Sequence, residues 1–187
     1  MHLVVARYNE DVSWLKDCGY SYTIYNKGDL IDLPCIQRPN VGRESETYLR
    51  YILDNYHHLS DIVAFLQGNP FDHCPNLLER LSQCPANKVE LLGKDLFWSD
   101  GMGRPHHPGL LIDECLDKLI PGVHYETYDF VAGAQYAVPR QFIQNKSREW
   151  WQHIFDVHEE LLTDQHRSAP WVFERLWPVI WGHSTQV

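Results

Sequence analysis

The first candidate for acid–base chemistry is a single carboxylate set among aromatic side chains near the end of the sequence. Glu174 lies within the segment Trp171-Val172-Phe173-Glu174-Arg175-Leu176-Trp177. Bulky apolar surroundings can tune the basicity of a carboxylate and hold it as a general base. The residues alone favour a simpler interpretation, in which Glu174 forms a structural pair with an arginine. Both interpretations stay open at this point.

A second set of candidates consists of polar residues that come directly after apolar, strand-like runs. Ligands of open α/β sheets bind beyond the carboxyl ends of the strands, so such residues are expected to line a pocket. A solvated turn explains any one of them, but several at one edge of a sheet favour a ligand site. They are Arg7, Asn9 and Glu10 after the first run, Asn26 and Lys27 after the second, and Gln67, Asn69 and His73 after the third.

The tripeptide Gly42-Arg43-Glu44 opens a predicted helix. Free backbone N–H groups and the helix dipole favour an anion there, and the Arg43 guanidinium can bind a phosphate through two hydrogen bonds. A pyrophosphate would suit this site. An equally good interpretation is that Glu44 and Glu46 interact with the dipole while Arg43 forms a surface ion pair.

Other residue types that often do chemistry give weaker signals. The histidines at 57–58, 73, 106–107 and 124 form no HxH or HExxH motif, which argues against a metal centre. No GxSxG motif occurs, and none of the five cysteines lies in a nucleophile motif. The glycine-rich segment 100–107 matches no phosphate-binding loop. We interpret it as a lid or substrate loop, with Asp100 and His106 as candidate substrate contacts.

The hydrophobic pattern predicts strands that alternate with helices. Strands are predicted at residues 3–6, 22–25, 61–66, 89–92 and 130–138, and helices at 11–16, 44–56, 75–82, 110–119, 148–162 and from near Pro170. Residues 94–109 are predicted to be irregular. This alternation is typical of an α/β/α sandwich with a mostly parallel central sheet.

Composition limits the class of protein. A chain of 187 residues, 44% of them hydrophobic, can bury one sizeable core, so we expect a single domain spanning residues 1–187. The net charge of −9 argues against non-specific binding to nucleic acid or anionic lipid. Irregularly spaced cysteines favour a reducing compartment, and neither a signal peptide nor a membrane span is visible. These features predict a soluble, cytoplasmic protein.

Two segments carry a resemblance to a known group of enzymes. Val4-Val5-Ala6-Arg7-Tyr8-Asn9-Glu10 is similar to the first strand and Asn-Glu turn of nucleotide-sugar glycosyltransferases of the GT-A fold, and Tyr22-Thr23-Ile24-Tyr25-Asn26-Lys27-Gly28 resembles their second strand. The chain also resembles a family of small proteins described only as a domain of unknown function. The segments that correspond to this family are 5–10, 24–28, 40–44, 65–68, 133–138 and 174–177.

The last two segments also resemble the branching N-acetylglucosaminyltransferases, which are inverting enzymes. By this resemblance Glu174 would deprotonate an acceptor hydroxyl as it attacks the anomeric carbon of a nucleotide-diphosphate sugar. Basic side chains would stabilise the departing diphosphate in place of a metal ion. The candidates are Arg7, Lys27, Arg43 and Arg175, and the same segments make Gln135 and Trp177 candidate substrate contacts.

One departure from the common GT-A pattern bears on cofactors. The sequence contains no Asp-x-Asp, and the corresponding place after the third long strand reads Gln67-Gly68-Asn69. Because Mg²⁺ and Mn²⁺ prefer charged oxygen ligands, we expect a metal-independent transferase without a cofactor. A non-catalytic nucleotide-sugar or carbohydrate-binding module is the alternative. A metal-dependent hydrolase built on the histidines is a third hypothesis.

Overall fold

The computed structural model describes residues 1–163 and 168–182. Eight strands lie in these residues, six of them in one central sheet and two in a small second sheet. The strands are β1 (His2–Arg7), β2 (Ser21–Asn26), β3 (Ile36–Gln37), β4 (Ile62–Gln67), β5 (Glu90–Leu91), β6 (Leu96–Ser99), β7 (Tyr128–Val131) and β8 (Tyr136–Pro139).

The central sheet has the strand order β3-β2-β1-β4-β8-β5. The pairings of β1 with β2, β1 with β4 and β2 with β3 are parallel, whereas β8 runs antiparallel to both β4 and β5. The prediction of a mostly parallel sheet is therefore confirmed. The carboxyl ends of β1, β2 and β4 meet at one edge, which is where the sequence places many of the polar candidates.

Both faces of this sheet are buried, as expected for parallel strands covered by helices. Side chains alternate along a strand, so Val4 packs into the core on one face while Leu3 and Val5 pack into the core on the other. In β4, Phe65 and Leu66 divide in the same way. Each face has its own apolar cluster, and this gives an α/β/α arrangement of layers.

The described residues form six α-helices around the sheet: α1 (Arg43–Asn55), α2 (Leu77–Ser82), α3 (Ile112–Leu119), α4 (Arg140–Gln144), α5 (Arg148–Thr163) and α6 (Ala169–Ile180). One core contains residues of α1, α3, α5 and α6, and the opposite core contains residues of α2 and of a 3₁₀ turn at Ser13–Asp17. No helix within the described ranges is both long enough and apolar enough to cross a membrane.

The prediction of one strand over residues 130–138 is wrong. Gly133 and Ala134 have φ values of 86° and 50°, so the chain turns sharply between β7 and β8. The two strands belong to different sheets, because β7 pairs with β6 and β8 pairs with β4 and β5. The small residues in this segment therefore form a turn, which we call the β7–β8 turn.

Four smaller differences concern short elements. Residues 94–109 contain a strand, β6, and are not wholly irregular. The helix predicted at residues 11–16 is a 3₁₀ turn of five residues. Neither the two-residue strand β3 nor the five-residue helix α4 was predicted. Elements of this length carry too few residues for a hydrophobic period to be recognised.

Candidate functional site

A polar cavity of about 330 Å³ lies at the carboxyl ends of β1, β2 and β4, and we call it the strand-end cleft. The chain places β2 and β3 on one side of β1 and β4 on the other side. In open α/β sheets this change of direction opens a crevice that binds ligands. The cleft is lined by Ala6, Arg7, Tyr8, Glu10, Lys27, Asn40, Arg43, Glu44 and Gln67.

A second cavity of about 220 Å³ contains Glu174, and we call it the Glu174 pocket. It shares Arg43, Glu44 and Gln67 with the strand-end cleft. Its other walls come from His73, from the β7–β8 turn at Ala132 and Gly133, and from α6 at Pro170 and Trp171. Glu174 therefore lines a pocket that adjoins the strand-end cleft.

Both oxygens of the Glu174 carboxylate are held by the protein. Oε1 accepts a hydrogen bond of 3.0 Å from the backbone N–H of Gly133, and Oε2 forms an ion pair with the Arg175 guanidinium. The structural Glu174–arginine pair is thus present. Each carboxylate oxygen has two lone pairs, so Glu174 can still accept a further hydrogen bond from a ligand in the pocket.

Arg175 is almost fully buried, and its contacts lie inside the protein. It donates to the Trp171 carbonyl at 3.0 Å and to Nδ1 of His107 at 2.8 Å, and its guanidinium lies over the Phe130 ring. Burial lowers the pKa of Arg175, and the Glu174 charge opposes this effect. Arg175 therefore orients Glu174, and it does not line either cavity.

Arg7 also uses its guanidinium to hold the protein together. It donates to the carbonyls of Tyr8, Glu10 and Asp29 and, over 2.6 Å, to Oδ1 of Asn26. Asn26 is itself fully buried and donates to the Asp29 carbonyl. These contacts join the turns that follow β1 and β2. Arg7 and Asn26 therefore stabilise the backbone at the strand-end cleft.

Lys27 is the third predicted cation with internal partners. Its ammonium is buried, forms a 2.8 Å ion pair with Glu46 and donates to the carbonyls of Val41 and Arg43. Burial lowers the pKa of Lys27, although the Glu46 carboxylate opposes the shift. Arg38 bonds the same carboxylate over 2.8 Å. This buried network fastens the start of α1 to the end of β2.

Arg43 differs from the other three predicted cations because its side chain is exposed. Its guanidinium carbon lies 5.4 Å from the centre of the Trp171 ring. Across residues 1–163 and 168–182 the guanidinium has no hydrogen-bond acceptor or carboxylate partner in the protein. Arg43 borders both cavities, so it is the cation best placed to bind an anion there.

Glu44 follows Arg43 in the first turn of α1 and lines both cavities. Burial raises the pKa of its carboxyl to about 7, and the nearby Glu174 charge acts in the same direction. Its own backbone N–H and the charge of Arg43 oppose the shift. A carboxyl of this kind exists in both protonation states near neutral pH.

The remaining strand-end candidates lie at or near the cleft. Glu10 lines it and accepts a hydrogen bond from the backbone N–H of Tyr8. Asn9 borders an adjoining surface pocket, and its Oδ1 accepts from the backbone N–H of Asp29. Asn69 lines a separate pocket beside Glu10, while His73 lines the Glu174 pocket.

Four other candidates serve the fold in this structure. Gln135 is fully buried and donates to the carbonyls of Pro70 and Leu92, and Trp177 is a core residue stacked on Trp181. Asp100 accepts hydrogen bonds within its own turn from Met102 and Arg104. His106 packs edge-on against Phe97 and Phe130. None of the four lines the strand-end cleft or the Glu174 pocket.

The described part of the chain holds no group of three or more His, Cys, Asp or Glu side chains arranged to bind a metal ion. Two histidines of the third hypothesis contact other side chains of the protein: His107 contacts Arg175, and His106 packs on aromatic rings. Two carboxylates, Glu44 and Glu174, border the Glu174 pocket.

Three groups at this site have no ligand-binding role in the predictions from sequence. Glu44 is predicted only to interact with the helix dipole, Trp171 only to be an aromatic neighbour of Glu174, and Gly133 only to lie in a strand. A signal for Glu44 was present, because the residue after Arg43 must also lie at the helix start. The Gly133 N–H could not be found in this way, since its direction depends on the β7–β8 turn.

A match to one protein family covers the first part of the chain. Residues 3–83 are similar to a family described as "Protein of unknown function (DUF3431)". No curated protein and no solved structure matches the chain. The matched residues include β1, β2, α1 and β4, and with them the strand-end cleft, whereas the β7–β8 turn and α6 lie outside the match.

Proposed function

We propose that this protein has a GT-A-like, Rossmann-like fold and transfers a sugar from a nucleotide-diphosphate sugar to an acceptor hydroxyl. The donor occupies the strand-end cleft and the acceptor hydroxyl approaches Glu174. The observation that carries the proposal is that these two cavities adjoin and share the lining residues Arg43, Glu44 and Gln67. A transferase needs an anion site and a base that open into one space.

The arrangement of the sheet supports the proposed position of the donor. The order β3-β2-β1-β4 is that of the nucleotide-binding half of doubly wound folds, which bind their ligand where the strand order reverses. The strand-end cleft lies at this position. The start of α1 and the exposed Arg43 provide N–H groups and a guanidinium for the diphosphate.

The chemical step would be a single inverting displacement. Glu174 accepts the proton of the acceptor hydroxyl while the hydroxyl oxygen forms a bond to the anomeric carbon. The bond from that carbon to the phosphate oxygen breaks, and its electron pair leaves with the nucleoside diphosphate. The roles of the protein are to orient Glu174 through Arg175 and Gly133 and to stabilise the departing negative charge. We propose that this step uses neither a metal ion nor an organic cofactor, with Arg43 and backbone N–H groups stabilising the departing diphosphate.

A specific observation favours the alternative of a non-catalytic nucleotide-sugar or carbohydrate-binding module. Both oxygens of Glu174 already have partners in the protein, as in a purely structural ion pair. In that case the same cleft would bind the diphosphate, but no proton would be transferred. The two functions differ in whether a bound nucleotide sugar is ever cleaved.

Thermal-shift screening against nucleoside diphosphates and their sugars identifies the donor, because a ligand of the native state raises the melting temperature. With that donor, release of the nucleoside diphosphate measures turnover. We expect Glu174→Gln to lose turnover by about 100-fold or more, as is typical when a general base is removed, and to keep its affinity for the donor.

Two further variants make the result interpretable. Because Glu174→Gln leaves Arg175 buried without its anion, Glu174→Asp is measured as well: it keeps the charge but withdraws the carboxylate, so turnover should also fall. Glu79→Gln makes the same change at an exposed position in α2 and should behave as wild type. Unchanged turnover in Glu174→Gln would exclude Glu174 as the base. Donor binding without any cleavage by the wild-type protein would favour the binding module.

A further inference from the structure

The strand-end cleft contains less available positive charge than its sequence indicates. Arg7 and Lys27 line it, but their charged groups are bonded to carbonyls and side chains of the protein. Arg43 is the cation with an exposed side chain, Glu10 and Glu174 add negative charge nearby, and Glu44 adds a third carboxyl group. A diphosphate that enters this space needs hydrogen-bond donors besides Arg43.

Glu44 occupies the junction where such a donor would be most effective. It lines the strand-end cleft and also the Glu174 pocket, and it lies directly after Arg43 in the first turn of α1. A diphosphate bound at the helix start, with its sugar directed toward Glu174, must therefore pass Glu44. At this point an ionised carboxylate would repel the phosphates, whereas a neutral carboxylic acid has an O–H that can donate to a phosphate oxygen.

The surroundings of Glu44 favour the neutral form. Burial raises the pKa of the Glu44 carboxyl most, and the Glu174 charge from α6 acts in the same direction. The backbone N–H of Glu44 itself, Arg43 at the start of α1 and Lys27 directly after β2 favour ionisation. The other groups that face it are neutral hydroxyls: Tyr48 on α1 and Tyr136 on β8, both completely buried. His73 also borders the Glu174 pocket. Glu44 is half-buried, and the two cations act on it weakly, because Lys27 is already paired with Glu46 and Arg43 extends into solvent.

We propose that Glu44 is a ligand-binding carboxylic acid whose neutral form donates a hydrogen bond to the diphosphate of the donor and whose ionised form repels it. This inference rests on the proposed function, and it identifies a specific binding group for the anionic part of that substrate. It also assigns a role to a carboxyl that would otherwise oppose an anionic ligand. Affinity for the donor should therefore fall as pH rises through neutrality.

The test measures the dissociation constants of UDP-glucose and GDP-mannose between pH 5.5 and 8.5 by calorimetry. The diphosphate of a nucleotide sugar keeps a constant charge over this interval, so the ligand does not contribute to the pH profile. We expect wild-type affinity to fall by about tenfold, since the loss of one charge-assisted hydrogen bond has this effect. Glu44→Gln should bind with the same affinity at every pH, because its amide donates a hydrogen bond at all of them.

Two control variants assign the titration to Glu44. His73→Asn removes the other side chain in the cavities whose residue type titrates near neutrality, and its pH profile should match the wild type. Glu79→Gln removes a charge at a remote, exposed site and should also match it. If the pH dependence of donor affinity disappeared in His73→Asn and persisted in Glu44→Gln, the inference would be overturned.

A direct titration of the ligand-free protein distinguishes failure of the Glu44 inference from failure of the proposed function. With ¹³C-labelled glutamate and Glu44→Gln for assignment, the Glu44 carboxyl resonance should titrate near neutral pH. A midpoint in the ordinary range of glutamate would overturn the inference while leaving the transferase proposal intact. Nucleotide sugars that bind with no pH dependence would do the same. The absence of binding at every pH would count against the proposed function and this inference together.

Discussion

Arg43 and Lys27 carry the same charge and line the same cleft, yet their side chains have different surroundings. Arg43 is exposed and lies over the Trp171 ring, whereas Lys27 is buried against Glu46. A cation without a carboxylate partner can give its hydrogen bonds to a ligand, and a buried, paired cation cannot do so without breaking the pair. At the scale of single residues, the position of the partner thus separates a binding role from a structural one.

This difference gives a residue-scale prediction for Arg43→Gln. We expect donor affinity to fall by about 10-fold to 100-fold, since hydrogen bonds to charged groups contribute about 1.5–3 kcal/mol, and the melting temperature to remain at the wild-type value. Calorimetric titration and thermal unfolding measure the two quantities. Arg140→Gln is the matched control, because Arg140 pairs with the exposed Asp61 at the opposite edge of the sheet. A similar loss of affinity in the control would show that overall charge is responsible.

At the scale of secondary-structure elements, Lys27 and Glu46 connect the end of β2 with the first turns of α1. Lys27→Met leaves the Glu46 carboxylate without one of the two cations that lie 2.8 Å from it. We expect the free energy of unfolding to fall by about 3 kcal/mol, the lower end of the range for breaking a buried pair, because Arg38 still bonds Glu46. Urea denaturation measures this change.

An equivalent substitution in an exposed pair provides the comparison. Lys88 pairs with Glu90 over 3.7 Å, and its side chain is 66% exposed. Lys88→Met should cost less than about 1 kcal/mol, as is usual for surface ion pairs. If Lys27→Met had normal stability and only bound the donor weakly, Lys27 would be a ligand contact and the interpretation of this network would be wrong.

At the scale of the whole molecule, His158 and Glu44 give the free energy of unfolding opposite dependences on pH. Burial lowers the pKa of His158 to about 4, so the unfolded chain binds more protons than the folded one between about pH 4 and 6.5. Stability therefore falls as pH decreases through this interval, by up to roughly 3 kcal/mol at 1.36 kcal/mol per pKa unit. The pKa of Glu44 is raised from 4.5 to about 7, so its contribution is complete below about pH 4.5 and is lost as pH increases from 4.5 to 7.

The two effects oppose each other between about pH 4.5 and 6.5, so wild-type stability should change little in this interval, and the two variants should separate the effects. His158→Gln should lose stability as pH increases from 4.5 to 7, because only the Glu44 effect remains. Glu44→Gln should lose stability as pH decreases from 6.5 to 4, and it should be more stable than wild type at pH 8 but nearly equal to it at pH 4. Urea unfolding at half-unit pH intervals measures both effects. A Glu44→Gln protein that is destabilised equally at pH 5 and pH 8 would show that the carboxyl is not neutral in the folded state.

Predictions from the sequence were most successful where the physical cause is local. The strands β1, β2 and β4 and the long helices α1, α5 and α6 follow from apolar residues repeated at strand or helix spacing. The strand ends, and hence the polar edge that contains Gln67 and Glu10, follow from the same pattern. The predictions were wrong where short elements or unusual backbone angles determine the course of the chain, as at the β7–β8 turn.

The sequence by itself therefore determined the α/β class, the mostly parallel sheet and the edge at which a ligand site would form. Only the tertiary structure decided which charged groups are available there. Arg7, Lys27 and Arg175 find partners that are distant in sequence or lie on other elements, such as Asn26, Glu46 and His107. Whether a charged side chain is available to a ligand depends on its burial and on its pairing with residues distant in sequence. Residue type and spacing specify neither of these. Arg43 and Glu44 remain to face the cleft for this reason.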